Sequence, residues 1–472
     1  MGYFTKYICF YKLDNNYTLL LNTLTSAVDI VDNETLTEIK AMIKKHNNKV
    51  IIDKNYPLYG VLKKRGYIFD NESAEKNTLN FFRSLSNKIL SNQFVTDFKI
   101  CPTMGCNLRC TYCYEDHTQH KNYSTMSNQQ LDMIFKYIQN CDQLIKTYSN
   151  SKSNHIRIGL FGGEPLLKTN YRIVEKVLTF AKNLETKLYI TTNGTTIDEY
   201  YELLNKYKDI VVIQMTLDGD KFNHDKKRIY SSGKGTFGKI CDGIDKTLKL
   251  GIKTSVRINV DKDNLDSIYE LKDLFDKRAW ISNPLFSTYA TPIRCYEENS
   301  PFNKALDDSK ILDVFMKNGW FGKQNSFIKR MDSSVYDVVF RLLNLDKMKE
   351  CTPWQISYCT ASQGKQLIFM PNGNICTCLK CTGEEAYSIG KYDENGIKIE
   401  NDKLNLWKKR DPFNISKCKQ CKYILFCAGG CPYYALKKFG DINCGVCNDI
   451  ENTLKVYVKH IKDHLLNTLK KD

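Results

Sequence analysis

Three closely spaced cysteines are the residues of this chain whose type and spacing most clearly predict chemistry. They form the loop Cys106-x-x-x-Cys110-x-x-Cys113, which directly follows a run at 95–101 that predicts a strand. Three thiolates can bind three irons of a four-iron cluster and leave the fourth iron open to another ligand. A structural zinc site would need a fourth ligand nearby, and Cys101, on the strand itself, is poorly placed for it. The spacing therefore favours an iron–sulfur cluster.

A second cysteine-rich region lies near the C-terminus. Eleven of the 19 cysteines fall between Cys351 and Cys447, in a segment with many turn residues and few long periodic runs. Such a segment is more readily stabilised by metal than by a large apolar core. Taken alone, these spacings fit zinc and iron–sulfur clusters equally well, and the loop at 106–113 favours iron–sulfur. The remaining cysteines are predicted to be core thiols: Cys9, Cys101, Cys141, Cys241 and Cys295.

Composition excludes several classes of protein. The chain has 472 residues, of which 42% are hydrophobic and 12% aromatic, so it is neither largely disordered nor limited to one typical domain. No apolar run approaches the roughly 20 residues of a membrane span, and the N-terminus lacks the pattern of a secretory signal. We therefore expect a cytoplasmic protein with reduced cysteines and no membrane partner. The net charge of +16 is spread along the chain, which argues against a nucleic-acid partner and leaves steering of an acidic peptide as the alternative.

Between about 94 and 290, strand patterns alternate with helix patterns. Repeated β–α units predict a parallel sheet covered by helices, and six of them predict a partial (β/α)6 barrel of the TIM type. In such folds the chemistry lies at the carboxyl ends of the strands. The predicted strands are Val95–Cys101, Ile156–Phe161, Leu188–Thr192, Ile210–Leu217, Thr254–Val260 and Pro284–Thr288; the predicted helices are Asn128–Gln139, Tyr171–Asn183, Glu199–Lys206, Phe237–Leu250 and Leu265–Phe275.

The pattern changes again on both sides of this α/β core. Three short strands at 7–13, 17–21 and 27–31, followed by helices, predict a winged-helix-like module at the N-terminus. The last segment predicts an amphipathic helix with Leu454, Val458, Ile461 and Leu465 on one face. The predicted organisation is an N-terminal module at 1–92, the α/β core at 93–300, a helical bridge at 301–350, the cysteine-rich domain at 351–448 and the C-terminal helix at 449–472.

Short polar motifs follow the predicted strands in the order and spacing of one known family. Gly162-Gly163-Glu164-Pro165 closes the second strand, Thr192-Asn193-Gly194-Thr195 the third, and Thr216-Leu217-Asp218-Gly219 the fourth. His224 and Arg228 come next, and Arg257-Ile258-Asn259-Val260 lies on the fifth strand. Together with the loop at 106–113 and its aromatic Tyr112, these motifs resemble those of radical S-adenosylmethionine (radical SAM) enzymes. The resemblance covers about residues 94 to 290.

The resemblance implies an oxidoreductase that uses S-adenosylmethionine and a 4Fe-4S cluster. The three cysteines of the loop at 106–113 would hold that cluster, which passes an electron to bound SAM. The 5′-deoxyadenosyl radical that results removes a hydrogen atom from the substrate. The implied SAM contacts are Tyr112, Gly162, Gly163, Glu164, Asn193, Thr216, Arg228 and Asn259. Thr216 replaces the more usual serine and keeps a hydroxyl that can bond a ribose.

The C-terminal cysteines resemble the SPASM extension of radical SAM proteins that modify peptides. That resemblance implies two auxiliary 4Fe-4S clusters, for three in all. One would be held by Cys351, Cys359, Cys378 and Cys431, and the other by Cys418, Cys421, Cys427 and Cys447. Two choices stay open: Cys444 competes with Cys447, and Cys376 and Cys381 compete with Cys378.

The two resemblances imply a peptide maturase. The expected partners are a ribosomally made precursor peptide, whose leader would bind the N-terminal module as an added strand, and an electron donor of the flavodoxin or ferredoxin type. The expected product is a thioether crosslink, with a carbon–carbon crosslink or an epimerised residue as alternatives. An anaerobic sulfatase-maturating enzyme is a further alternative, although Leu379 stands where those enzymes usually carry an aspartate base. A DNA-binding iron–sulfur sensor would have no need of the SAM motifs.

Overall fold

Eleven strands form one large sheet, and this sheet holds the motifs together. The computed structural model describes residues 2–45, 49–50, 55–91, 93–115, 123–149, 155–294, 305–322, 326–332 and 354–469. None of its helices has the length and apolar character that crossing a membrane requires, within these residues. Seven strands run parallel at the centre: β7 (Asp97–Ile100), β8 (Arg157–Leu160), β9 (Leu188–Thr191), β10 (Val211–Thr216), β11 (Lys253–Val260), β12 (Phe286–Pro292) and β14 (Gln366–Phe369).

The six predicted strands of the α/β core are all present, side by side and in chain order from β7 to β12. Their side chains alternate between two environments. Ile158, Leu188 and Met215 are buried on one face of the sheet, whereas Tyr189 and Gln214 line a cavity on the other. A parallel sheet covered on both faces would be apolar throughout. The alternation therefore marks one covered face and one polar face that is open to a ligand.

The helices of the core follow the predicted pattern with small shifts at their ends. In α5, for example, Val174, Val177, Leu178 and Ala181 are buried at the spacing of one helix face. Before and within the core, the helices are α1 (Asn33–Lys45), α2 (Tyr59–Lys64), α3 (Glu72–Ser91), α4 (Asn128–Ser149), α5 (Tyr171–Asn183), α6 (Tyr201–Lys206), α7 (Lys221–Lys227), α8 (Phe237–Lys249) and α9 (Ile268–Lys277).

The cysteine-rich segment continues the same sheet. The sequence prediction assigns this segment to a separate domain and does not anticipate the shared sheet. Its first strand, β14, pairs in parallel with β7, with Gln366 opposite Asp97 and Phe369 opposite Ile100. Three antiparallel strands extend the sheet beyond β14, and short helices complete the segment. These elements are β15 (Asn374–Cys376), β16 (Gly390–Asp393), β17 (Gly396–Ile399), α11 (Asn401–Lys408), α12 (Ile424–Cys427) and α13 (Pro432–Phe439).

The N-terminal residues form two small sheets. The three predicted strands form an antiparallel meander of β2 (Ile8–Lys12), β3 (Tyr17–Asn22) and β4 (Val28–Asp32). A second sheet, which the sequence did not predict, joins β1 (Gly2–Phe4) to β5 (Lys49–Val50) and β6 (Ile68–Phe69). The strands precede the helices as expected, and the winged-helix identity stays a prediction.

This N-terminal module packs directly on the cysteine-rich segment. The Thr23 hydroxyl donates a hydrogen bond to the Lys422 carbonyl, and the Trp354 indole N–H donates to the Leu24 carbonyl at 3.1 Å. The ring of Trp354 also lies 4.6 Å, centroid to centroid, from that of Phe82. The module is therefore attached to the region that carries the auxiliary cysteines.

The predicted C-terminal helix is present as α14 (Ile450–Thr468), and it packs on α10 (Asp308–Lys317). Leu454, Val458 and Leu465 are buried at the contact, as the amphipathic pattern predicts. The predicted helical bridge also contains a short strand, β13 (Arg330–Met331), which pairs in parallel with β12. Residues 333–350 of the bridge, and Cys351, lie outside the described residues.

Candidate active site at the strand ends

The cysteine loop at 106–113 is held in place by backbone hydrogen bonds to the segment after α7. The Arg109 N–H donates to the Ile229 carbonyl at 2.7 Å, and the Thr111 N–H donates to the Lys227 carbonyl at 2.9 Å. These bonds join the loop, which follows β7, to the end of α7 and the residues just after it. The three cysteines are thus positioned by residues more than 100 positions away in the chain.

The three thiols of this loop face one cavity and form a donor set suited to an iron–sulfur cluster. Burial raises the pKa of Cys113 to about 12 and also raises the pKa of Cys106, whose thiol further feels the charges of Cys110 and Cys113. Metal binding must therefore displace these protons. Within the described part of the chain, no three Cys, His, Asp or Glu side chains are placed to bind one metal ion. A four-iron cluster binds each thiolate at a different iron, so its thiolates lie farther apart than the ligands of a single metal ion.

Glycine is required where the Gly162-Gly163 turn passes the cysteine loop. A Cβ on Gly163 would stand 2.3 Å from the Gly105 carbonyl oxygen, and a Cβ on Gly162 would stand 2.5 Å from the Cys101 sulfur. Gly162 also has a φ of +138°, which side chains other than glycine rarely adopt. The Glu164 N–H then donates to the Gly105 carbonyl at 2.9 Å. Any larger residue would push the turn away from the loop.

Glu164 links the ends of β8 and β9. Its fully buried carboxylate accepts hydrogen bonds from the Thr192 hydroxyl at 2.6 Å, the Asn193 N–H at 2.6 Å and the Leu166 N–H at 2.9 Å. A carboxylate has about four lone-pair sites, so these three bonds leave room for one further donor. The contact of Glu164 with the amino group of SAM stays a prediction, and the carboxylate lines the cavity where such a contact would form.

Three of the motif residues converge on the phenol of Tyr112. The Tyr112 hydroxyl donates to Asp218 and accepts hydrogen bonds from Arg228 at 2.8 Å and from the Asn259 side chain at 3.1 Å. Asp218 also accepts the Asn259 N–H at 2.8 Å. Arg228 lines the cavity, and its buried Nε has no hydrogen-bond partner among the described residues. Thr216 borders the same space. A polar ligand that accepts a hydrogen bond fits this position.

His224 is a buried structural residue. Its Nδ1 accepts the Asp218 N–H at 3.1 Å, and its Nε2 lies 3.1 Å from the Thr236 hydroxyl. Burial, assisted by the charge of Arg228, lowers the pKa of His224 to about 3. The imidazole is therefore neutral and holds Asp218 in position.

The auxiliary cysteines fall into two groups. Burial above all raises the pKa of Cys431 to about 12, and the negative charges of Cys378 and Cys359 contribute, so these three sulfurs lie within electrostatic reach of each other. Cys376 points to the Cys381 carbonyl and packs in an apolar cluster with Cys101, and burial together with the charge of Cys378 raises its pKa to about 12. The Cys378 and Cys381 side chains hydrogen-bond each other, so the choice among these three cysteines stays a prediction. The fourth predicted member, Cys351, lies outside the described residues.

The second group contains Cys418, Cys421, Cys427 and Cys447. Burial raises the pKa of Cys427 to about 11, with contributions from the charges of the other three cysteines of the group. Cys447 also affects the pKa of Cys418 in the same way. The structure thus places Cys447 with this group, and its role as a cluster ligand stays a prediction.

One cavity of about 2070 Å³ connects the first cysteine loop to both auxiliary groups. On one side it is lined by the loop, the Gly162-Gly163-Glu164 turn and the ends of β9 to β12. On the other side it is lined by Cys359, Leu379, Cys431, Tyr433, Tyr434 and Cys447. A substrate in this space would contact the SAM motifs and the auxiliary cysteines at once.

Three residues of the site were not identified from the sequence. Burial raises the pKa of Glu115 to about 7, and it lowers the pKa of Lys380 to about 8 with help from the charge of Arg257; both side chains line the cavity. The Asn107 side chain bonds Thr195 at 2.9 Å and Asn193 at 2.8 Å, which ties the loop to β9. Only the position of Asn107 between two cysteine ligands could have drawn attention to it.

The buried His224 predicts a pH dependence of stability. The folded-state pKa of His224, about 3, lies below the ordinary value of 6.5. Between these two pH values the unfolded chain therefore binds a proton at this histidine and the folded chain does not. The contribution of the neutral His224 to the free energy of unfolding is complete above pH 6.5 and is lost as the pH falls towards 3. At pH 5 it has decreased by about 2 kcal/mol. We expect His224→Gln to flatten the acid limb of thermal unfolding midpoints measured from pH 7.5 to 4.5. The exposed His464→Gln is the control, and parallel curves for His224→Gln and wild type would contradict the prediction.

Known proteins share both the motifs and the fold. Residues 100–275 match the model of the radical SAM superfamily. A cysteine-type anaerobic sulfatase-maturating enzyme of Clostridium novyi is 25% identical over 344 residues, which cover 69% of this chain and 85% of that protein. Among solved structures, anSMEcpe with bound AdoMet aligns at a TM-score of 0.58 with 19% identity, over 80% of this chain and 100% of that one. SuiB of Streptococcus suis aligns at 0.52 with 17% identity, over 94% and 99%.

These two structural likenesses show the fold, and the match to the superfamily covers the cysteine loop and the motifs that follow it up to Asn259. Radical SAM enzymes use S-adenosylmethionine together with a 4Fe-4S cluster, and the thiols, the glycine turn and the Tyr112 network suit both. Residues 100–275 therefore form a radical SAM domain, and this chain is a radical SAM enzyme.

Proposed function

We propose that this enzyme modifies a ribosomally made precursor peptide and joins a substrate cysteine sulfur to a carbon atom. The observation that carries the proposal is the single cavity between the SAM motifs and the auxiliary cysteines. Its lining extends from the loop at 106–113 to Cys359, Cys431 and Cys447, which supports a peptide segment lying beside the cofactors.

On the first side of the cavity, Cys106, Cys110 and Cys113 would hold the cluster, and the motifs at the strand ends would hold SAM. When bound, this pair supplies a carbon radical that removes one hydrogen atom from the substrate. The chain's own residues orient the reactants and exclude water. Tyr112, fixed by Asp218, Arg228 and Asn259, and the turn that carries Glu164 form a rigid wall for SAM.

On the second side, Cys359, Cys378 and Cys431, with Cys351, hold one auxiliary cluster, and the group that contains Cys447 holds the other. A bond between a substrate thiolate and a substrate carbon radical releases one electron. An acceptor must therefore lie beside the new bond, and the cysteines that line the cavity support one there. A soft iron site can also hold the substrate thiolate. The electron donor that starts the reaction is proposed to be of the flavodoxin or ferredoxin type.

Two known proteins support a peptide substrate. The anSMEcpe fold has been solved with AdoMet and a peptide named Cp18Cys, and this structure aligns at a TM-score of 0.56 with 19% identity. The Clostridium novyi relative is named for maturation of sulfatases, which are themselves polypeptides. Both support the class of substrate and leave the bond that is formed to experiment.

Sulfatase maturation is the second candidate function, because that relative covers most of both chains. The reaction converts a cysteine to formylglycine and needs a base near the substrate thiol. Leu379, which follows Cys378 and lines the cavity, cannot accept a proton. This residue therefore argues against sulfatase maturation with a base at position 379. Carbon–carbon crosslinking and epimerisation would begin with the same hydrogen abstraction.

The N-terminal module is proposed to bind the leader of the precursor peptide. In the described part of the chain, no strand pairs with the outer edges of β2 and β4. Such edges can accept an added strand from a peptide. Because the module packs on the cysteine-rich segment, a leader held there would raise the effective concentration of the core peptide at the cavity.

We expect about twelve irons per chain after anaerobic reconstitution, since three four-iron clusters are proposed. Changing Cys106, Cys110 and Cys113 together to alanine should remove about one third of the iron and all cleavage of SAM. Metal analysis and SAM cleavage by the dithionite-reduced protein measure both. Cys141→Ala, on α4, is the matched control and should retain all the iron. Stoichiometric zinc in place of iron would contradict the cluster assignment.

Mass spectrometry of the peptide encoded beside the gene, after treatment with reduced enzyme and SAM, tests the reaction itself. A thioether predicts the loss of two hydrogens and the loss of one alkylatable thiol. A two-hydrogen loss with every thiol still alkylated would establish a carbon–carbon bond instead. Conversion of cysteine to formylglycine would favour sulfatase maturation. Gain of one mass unit only in deuterated water would indicate epimerisation.

Proline variants on the two strand edges test leader binding. Hydrogen-bonded positions alternate along antiparallel ladders, and the Asn22 N–H donates to the Ala27 carbonyl while the Leu13 N–H donates to the Tyr17 carbonyl. The N–H groups of Ile30 and Lys12 therefore face outwards from β4 and β2. Binding of a labelled precursor peptide is measured by fluorescence anisotropy for Ile30→Pro and for Lys12→Pro. We expect at least tenfold weaker binding for the variant on the edge that receives the leader. The variant on the other edge is then the control. Unchanged affinity in both would reject binding by strand addition.

A further inference from the structure

Arg410 follows α11 and is a buried arginine whose hydrogen-bond partners, among the described residues, are all backbone carbonyls. Its side chain is 4% exposed. The guanidinium donates hydrogen bonds to Ile442 at 2.7 Å, Gly429 at 2.7 Å, Cys444 at 3.0 Å and Ala428 at 3.1 Å. Arginine is usually buried with a carboxylate partner, because an isolated buried charge is costly. Among the described residues, no carboxylate forms an ion pair with it.

The four carbonyls belong to the two segments that carry auxiliary cysteines. Ala428 and Gly429 lie between Cys427 and Cys431, and the segment 442–444 leads to Cys447. The first segment curls around the guanidinium through three successive residues with positive φ, of 48°, 78° and 77° at 428, 429 and 430. A Cβ on Gly429 would stand only 3.0 Å from Nη1 of Arg410. The backbone is therefore shaped to enclose this side chain.

The cysteines that act electrostatically on Arg410 belong to both auxiliary groups. Burial lowers the pKa of Arg410, and the charges of Cys418, Cys431, Cys427 and Cys359 oppose that effect. Cys418 and Cys427 belong to one group, and Cys359 and Cys431 to the other. The guanidinium is thus within electrostatic reach of both groups, and the Ala428 and Gly429 carbonyls that it binds lie between Cys427 of one group and Cys431 of the other.

We propose that Arg410 is a positioning residue that supplies a shared positive charge to both auxiliary clusters and raises the reduction potential of each. The proposal rests on the auxiliary clusters of the proposed function. Reduction adds one negative charge to a cluster, and a nearby cation in a poorly solvated site favours the reduced form. The forked guanidinium also joins the two cysteine segments, which a lysine could not do with one ammonium group. Arg410 would thereby keep both clusters able to accept the electron released by crosslinking.

Redox titration followed by electron paramagnetic resonance tests this role. The parent protein carries alanine at 106, 110 and 113, so that only the auxiliary clusters give a signal. In this parent, Arg410→Gln removes the charge and Arg410→Lys keeps it without the fork. Lys409→Gln removes the same charge at the adjacent, exposed position and is the matched control. We expect more negative midpoint potentials for both clusters in Arg410→Gln, and parental potentials in Arg410→Lys and Lys409→Gln.

Iron content separates the charge from the folding of the segment. If Arg410→Gln loses auxiliary iron and Arg410→Lys retains it, the requirement for positive charge is supported. Unchanged potentials in an iron-replete Arg410→Gln would overturn the proposal. Equal loss of iron in both variants would also overturn it, because the fork alone would then explain the residue. Absence of auxiliary iron from the parent itself would refute the cluster assignment of the proposed function, before any variant of Arg410 is compared.

Discussion

The close approach of the Gly162-Gly163 backbone to the cysteine loop is the constraint on which the site depends. With 2.3 Å between the Cβ position of Gly163 and the Gly105 carbonyl, the loop and the strand end can meet only where side chains are absent. That approach brings Glu164 next to the loop. Its carboxylate accepts three hydrogen bonds and links the end of β8 to the end of β9. The thiols on one side and the Tyr112 network on the other are then held against a single cavity wall.

Desolvation shifts the pKa of several ionisable groups of the site. It keeps His224 neutral, raises the pKa of the Cys113 thiol to about 12, and moves Glu115 and Lys380 towards neutrality at ordinary pH. In a poorly solvated site, fixed hydrogen bonds and charges act more strongly than they do in water. Arg410 shows the same principle on the auxiliary side. Its charge is retained in the interior because four backbone carbonyls accept its hydrogen bonds.

Sequence patterns predicted most elements of the fold, because each pattern is local. The period of two in strands such as β8 and the apolar face of α5 follow from a few adjacent residues and a covered surface. Three features were beyond such patterns. Strand β14 pairs with β7 from more than 260 positions away, the strands β1, β5 and β6 are too short to show a period, and the bridge contains β13. Pairing between distant strands depends on register and on which edge is free, and neither leaves a local signal.

The sequence by itself determined the order of the motifs, the cysteine loop and the glycines of the turn, since these depend on residue type and on spacing within one strand–loop–helix unit. The tertiary structure decided which distant groups meet. It placed Cys447 near Cys418 and packed the side chain of Cys376 in an apolar cluster. It also enclosed Arg410 between two cysteine segments. It also joined the two cysteine regions in one cavity. The physical reason is that burial and electrostatic reach are properties of distances in space, which a linear spacing of residues does not specify across separate elements.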